Sequence, residues 1–170
     1  MTCGNVLTFI LQLTTRYELD MDRWASRARP AVLGAVDGIV TTFAVLVSGD
    51  VTGVDQDTIV VVALATMLAD AVSMTVGEYL SSKATSGWRE AVVNALICGT
   101  CFVASGAVPI LASVVDGSVA AVAAVFASML ILLGGVRGLL TTVSVPTSIV
   151  EVSLLGSAAG AVCYGASHMR

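Results

Sequence analysis

Charge is what this sequence has least of. Only 12% of its 170 residues are Asp, Glu, Lys or Arg, about half the share usual in soluble globular domains. Hydrophobic residues make up 56% of the chain, and the mean hydropathy is +0.94. Those values exclude an ordinary water-soluble domain, and no nucleic-acid partner is expected. Histidine is nearly absent: the single one, His168, stands outside the apolar runs, so no imidazole is available for catalysis inside them. The four cysteines (Cys3, Cys98, Cys101 and Cys163) do not make a disulfide framework. Cys98 and Cys101 form a C-x-x-C, but both lie within an apolar run. A redox or zinc site needs an aqueous setting with matching partners, so they read as ordinary small buried residues. No basic residue precedes "NVLTFILQL", so no signal peptide is expected. That stretch is too short to span and reads as interfacial or flexible, with Met21 an alternative start to Met1.

Long apolar runs are what the chain has instead. Roughly 20 residues cross a hydrocarbon core, and five segments approach or exceed that length: 31–48, 58–80, 91–115, 117–136 and 147–166. The fold class expected is therefore an all-α integral membrane protein with five transmembrane helices. It divides into an N-terminal segment, 1–29, and one membrane domain, 30–170. Basic residues are missing from alternate loops. Arg16, Arg23, Arg27 and Arg29 precede the first span, Lys83 and Arg89 lie between the second and third, and Arg137 lies between the fourth and fifth; the other loops carry Asp50, Asp55, Asp57 and Asp116 with no Lys or Arg. By the positive-inside rule the N-terminus is cytosolic and the C-terminus, with His168 and Arg170, lies outside.

Local signals refine this plan. Pro30 is expected to open the first span, at a helical position where no amide partner is lost. "SSKATSGWR" reads as a short cytosolic connection that leaves no room for a folded insert. "VVDGS" reads as a tight outer turn, and Pro109 implies a kink in the third span. Ser148 and Glu151 have capping-box spacing at the start of the fifth. Gly134-x-x-x-Gly138 and Gly156-x-x-x-Gly160 permit close helix approach, read here as packing within one chain, with a dimer seam as the alternative.

The residues that invite chemistry are "ADAVSMTVGEYLS", 69–81. Asp70, Met74 and Glu78 recur at i, i+4 and i+8 and share one helix face, with Thr66 one turn further along. A charge at membrane depth costs at least ~2.5–3.5 kcal/mol, which makes an ionisable residue there a functional-site hypothesis. Asp37 of the first span and Met74 of the second each lie ~9 Å from the cytosolic side at 1.5 Å per residue. Glu78 is then about one turn nearer the cytosol, and Asp70 about one turn deeper. Oxygen ligands suit hard cations, while a thioether biases a site toward softer transition metals. Carboxylates with one Met describe a weak, open site for Fe²⁺ or Mn²⁺, and weakness is what a carrier needs to release its cargo. The bland readings are a Met in the core, a Glu snorkelling to water and a structural polar network.

The same residues carry a resemblance. "RPAVLGAVDGIVTTFAVLVSG" (29–49) with "LADAVSMTVGEYLS" (68–81) resembles the vacuolar iron transporter family, including its short nodulin-like plant branch. The likeness continues more loosely through "NALICGTCFVASGAVPIL" (94–111) and "SLLGSAAGAVCYGAS" (153–167). The resemblance implies a five-helix homodimer that moves Fe²⁺, and often Mn²⁺, from the cytosol into an acidic, vacuole-like compartment in exchange for protons. Asp37 matches the family's first-helix aspartate, Met74 its second-helix methionine, and Glu78 and Asp70 the flanking carboxylates, all lining the pathway near the dimer axis. No resident cofactor is implied, the metal being cargo. The chain departs from the family at Val36, where members often have Asn. It lacks the Glu-rich insert between helices two and three, and Glu18, Asp20 and Asp22 are the nearest substitutes for a Glu/His pair before helix one. A non-transporting membrane scaffold with a vestigial site is the alternative, and a membrane enzyme using the carboxylates is a second.

Overall fold

The computed structural model describes residues 3–140 and 144–167, with side chains over 27–139 and 144–165. His168 and Arg170 lie outside the described residues, as do the side chains of Cys3, Arg16, Glu18, Asp20, Asp22 and Arg23. Five helices follow one another: α1 Cys3–Val51, α2 Gln56–Thr85, α3 Trp88–Asp116, α4 Val119–Leu140 and α5 Val145–Ser167. Among the described residues there is no strand. All five are long and apolar enough to cross a membrane, the shortest such stretches being the 21 residues of Val119–Leu139 and of Val145–Gly165. At 1.5 Å per residue those reach about 31 Å, enough for the hydrocarbon core.

Three local expectations are corrected. Pro30 does not open α1; it lies inside it. Its fixed φ is compatible with a helix and it forfeits only one backbone bond, so the chain ahead of it continues the same helix, "NVLTFILQL" included. The expected connection "SSKATSGWR" is mostly helix: α2 runs to Thr85, Ser86 is extended with its N–H on the Ser82 carbonyl, and Gly87 precedes α3. Polar side chains had marked those residues as loop, but short polar residues continue a helix readily once it protrudes beyond the apolar stretch. The Ser148–Glu151 capping box is absent. α5 starts a turn earlier at Val145, Ser148 N–H bonds the Ser144 carbonyl, and Ser148 is fully buried.

Glu151 instead meets Arg137 of α4 at 2.8 Å. With side chains 30% and 47% exposed, the pair is screened by solvent. Glu151→Ala is expected to change stability by no more than about 1 kcal/mol, read as the melting temperature of the detergent-solubilised protein. A tight turn at 117 is as expected: Gly117 adopts φ 66° and its N–H caps α3 on the Ser113 carbonyl, the left-handed ending that glycine favours. Gln56 donates to both the carbonyl and the hydroxyl of Ser113 at 2.9 and 2.8 Å, tying the start of α2 to the end of α3.

α1 touches every other helix, and its closest seam is with α3. There Gly34 and Gly38 lie directly on the backbone carbonyls of Cys98 and Phe102. Ser105 Oγ of α3 donates across the seam to the Ala35 carbonyl at 2.8 Å. Between membrane helices, packing and interhelical hydrogen bonds supply the association that the hydrophobic effect supplies in water. Gly134 and Gly138 sit against Ile149 and Val145 of α5, Gly156 against Leu130, and Gly160 against Phe43. Both glycine pairs therefore pack within one chain, as the sequence reading has it. Phe102 anchors a core with Leu46, Ile59, Met67 and Ile110. Ile39, Phe126, Leu130 and Val152 form a second core, and Phe43 and Phe126 stack with ring centres 3.9 Å apart. Cys98 is buried, and Cys98 and Cys101 are free thiols.

Candidate metal-ion site

Four ionisable or soft side chains lie within the apolar lengths of α1 and α2. Asp37 sits on α1 beside Gly38, whose lack of a side chain brings this stretch against α3. Asp70, Met74 and Glu78 sit on successive turns of α2. All four are half-buried. On either side of them, α2 turns Ala63, Met67 and Ala71 into the core and leaves Leu68, Val72 and Val76 more than half exposed. The polar stripe therefore follows the border between the packed and the open faces of the helix.

Asp37 and Asp70 stand on two helices that pack against one another, α1 and α2, within their apolar stretches. Two carboxylates in one another's field repel, and in surroundings of low dielectric that repulsion is large; a cation or a proton between them relieves it. Met74 packs against the first core cluster while remaining partly open. Its thioether thus has the core role the bland reading assigns, with surface left over. Gly34 of α1 lies on the Cys98 carbonyl and Gly99 of α3 lies against Thr75 of α2, so the three helices converge around this region. Among the described residues no three His, Cys, Asp or Glu side chains come together in a metal cage. One chain supplies a carboxylate pair, with a thioether and a third carboxylate further along α2.

Glu78 has company that sequence reasoning missed. Ser82 Oγ donates to Glu78 Oε1 at 2.7 Å, and Asn94 Nδ2 of α3 donates to Ser82 Oγ at 3.3 Å. The signal for Ser82 was its place four residues after Glu78, on the same face. Asn94 had no comparable signal, because it reaches the stripe across the turn at Ser86 and Gly87. Near that turn Lys83 lies over the Tyr79 ring at 5.3 Å and Arg89 over Trp88 at 5.4 Å, giving this end of the hairpin an amphipathic rim of the kind found at membrane interfaces.

The VIT family model matches residues 28–91. That stretch runs from the membrane part of α1 through all of α2 into the first turn of α3, and it holds Asp37, Asp70, Met74, Glu78 and Ser82 but not Asn94. No curated protein matches the chain. Five helices apolar enough to span make the chain an integral membrane protein, and the stretch that holds its carboxylate stripe is similar to the VIT family.

Proposed function

We propose that the chain carries Fe²⁺, Mn²⁺ or both from the cytosol into an acidic compartment in exchange for protons, as a homodimer in a vacuolar or other endomembrane. The observation that carries this reading is the placing of Asp37 and Asp70 on two helices packed against one another, inside stretches built to lie in lipid. A like-charged pair at that depth costs free energy unless a cation accompanies it. Asp37 and Met74 are the central ligands, Asp70 a deeper ligand or relay, and Glu78 the carboxylate at the cytosolic mouth. The donor set, hard oxygen with one thioether, favours Fe²⁺ and Mn²⁺ over Mg²⁺ or Ca²⁺.

Because a single chain offers a pair and not a cage, the ion is held between two copies, and the open face of α2 with Leu68, Val72 and Val76 is available for that approach. Exchange with protons follows from the ligands themselves. A carboxylate must be deprotonated to bind a metal, so protons arriving from the acidic side displace the ion there, and the emptied, protonated site returns.

Expression in cells that lack their own vacuolar metal importer tests this against the scaffold alternative. Restored growth on excess Fe²⁺ or Mn²⁺, with metal accumulating in the vacuole, is expected of the carrier; a scaffold restores nothing.

A further inference from the structure

Several hydroxyl side chains inside these helices rest on their own backbone. Thr42, Thr75, Thr100 and Ser128 each donate to the backbone carbonyl four residues earlier, at 2.8, 2.7, 2.6 and 2.7 Å, which is where a helical hydroxyl ordinarily rests. Ser82 has the same carbonyl within reach, that of Glu78, and bonds the Glu78 carboxylate instead. It does so while only 8% exposed, where water competes poorly. Asn94 supplies a reason. A side-chain amide nitrogen can only donate, so its bond to Ser82 Oγ occupies an oxygen lone pair and leaves the single hydroxyl hydrogen for Glu78. Bonds linked in this way polarise one another. The chain Asn94–Ser82–Glu78 thus has one direction, and it ends on Oε1. Among the described residues nothing donates to Glu78 Oε2.

We propose that Ser82 and Asn94 are positioning residues for ion entry: they fix Glu78 by one oxygen and present the other to the arriving cation. This rests on the transport reading above. It also gives α3 a part in a site otherwise made by α1 and α2, because the orientation of Glu78 depends on how the start of α3 is docked. Removing the hydroxyl releases the carboxylate into several rotamers, so capture of the ion weakens while the central ligands and the rate of passage remain.

The test is Fe²⁺ uptake by full-length protein in proteoliposomes with an acidic lumen, scored for KM and maximal rate separately. Ser82→Ala and Asn94→Leu are each expected to raise KM about 10-fold, the lower end of what loss of a ligand's hydrogen-bond partner costs in metal affinity, with maximal rate within about twofold. Ser82→Thr, which keeps the hydroxyl, is expected to restore the wild-type KM. Ser128→Ala, which removes a hydroxyl of the ordinary kind on α4, is expected to change neither value. In a Glu78→Ala background Ser82→Ala is expected to add nothing further, since both changes remove one interaction. Should Ser82→Ala fail to fold, Asn94→Leu carries the same comparison. Unchanged KM in both variants, failure of the threonine to restore it, or a full additional cost in the Glu78→Ala background overturns the inference while leaving transport intact. No uptake by wild type overturns the transport reading, and this inference with it.

Discussion

Asp37→Asn is expected to reduce metal uptake by on the order of 100-fold, with the protein still folded and membrane-inserted. Removing the carboxylate from a buried carboxylate–cation contact costs roughly 2–5 kcal/mol of binding, and 1.4 kcal/mol is a factor of ten. Asn preserves size and hydrogen-bonding capacity, so the lost charge is the main change. Asp37 is the one carboxylate of α1 between residues 31 and 48, and α1 packs against the helix that carries Asp70. Without it, α1 offers the ion no negative charge, and Asp70 faces the pathway alone. The measurement is initial uptake of Mn²⁺ into proteoliposomes at matched protein density, with thermal stability of the same preparations as the folding control. Because Asp37 and Asp70 repel when the site is empty, the variant is expected to be at least as stable as the wild type in the absence of metal. Retained uptake would remove Asp37 from the pathway; uptake lost together with stability would assign it a structural part instead.

The second large effect concerns the seam that holds α1 in place. A Cβ at Gly38 would run into the Phe102 carbonyl and stand 2.7 Å from Ser105 Oγ. Ser105 is committed to the Ala35 carbonyl, and backbone atoms do not rotate away. Overpacking of this kind costs about 1–3 kcal/mol and occasionally more, and here the obstruction is main chain. Gly38→Val is therefore expected to leave little monodisperse protein, with a strongly lowered melting temperature in what survives. Gly135 on α4 is the control, because a Cβ there meets nothing within 4 Å. Gly135→Ala is expected to be neutral or to stabilise by up to about 1 kcal/mol, the difference in helix propensity. Equal stability of Gly38→Val and wild type would contradict the close α1–α3 approach, and with it the placement of Asp37.

What could be read from the sequence divides along physical lines. The five helices were legible because lipid demands long apolar runs, and the stripe of Asp70, Met74 and Glu78 because a helix repeats faces every four residues. The glycines at 134, 138, 156 and 160 were legible as packing surfaces for the same reason. Helix ends were not. Pro30 fits the first turn of a helix and also its interior, Ser148 and Glu151 match a cap by spacing alone, and residues 81–83 are polar yet helical; in each case neighbouring structure decided. Gly34 and Gly38, which set the close α1–α3 approach, were present in the sequence without any sign of which helix they faced. The Asn94–Ser82–Glu78 connection was out of reach because it depends on how α2 and α3 align beyond a two-residue turn, and no periodicity encodes that register.

The most direct measurement is the initial rate of Fe²⁺ entry into proteoliposomes with an acidic lumen, for wild type beside Asp37→Asn and Met74→Leu, with and without the pH gradient. The account predicts rapid wild-type entry that needs the gradient, near-complete loss in Asp37→Asn and a marked loss in Met74→Leu, which keeps the packing of the thioether and removes its sulfur. Wild-type rates in both variants, or no gradient-dependent entry by wild type, would contradict it.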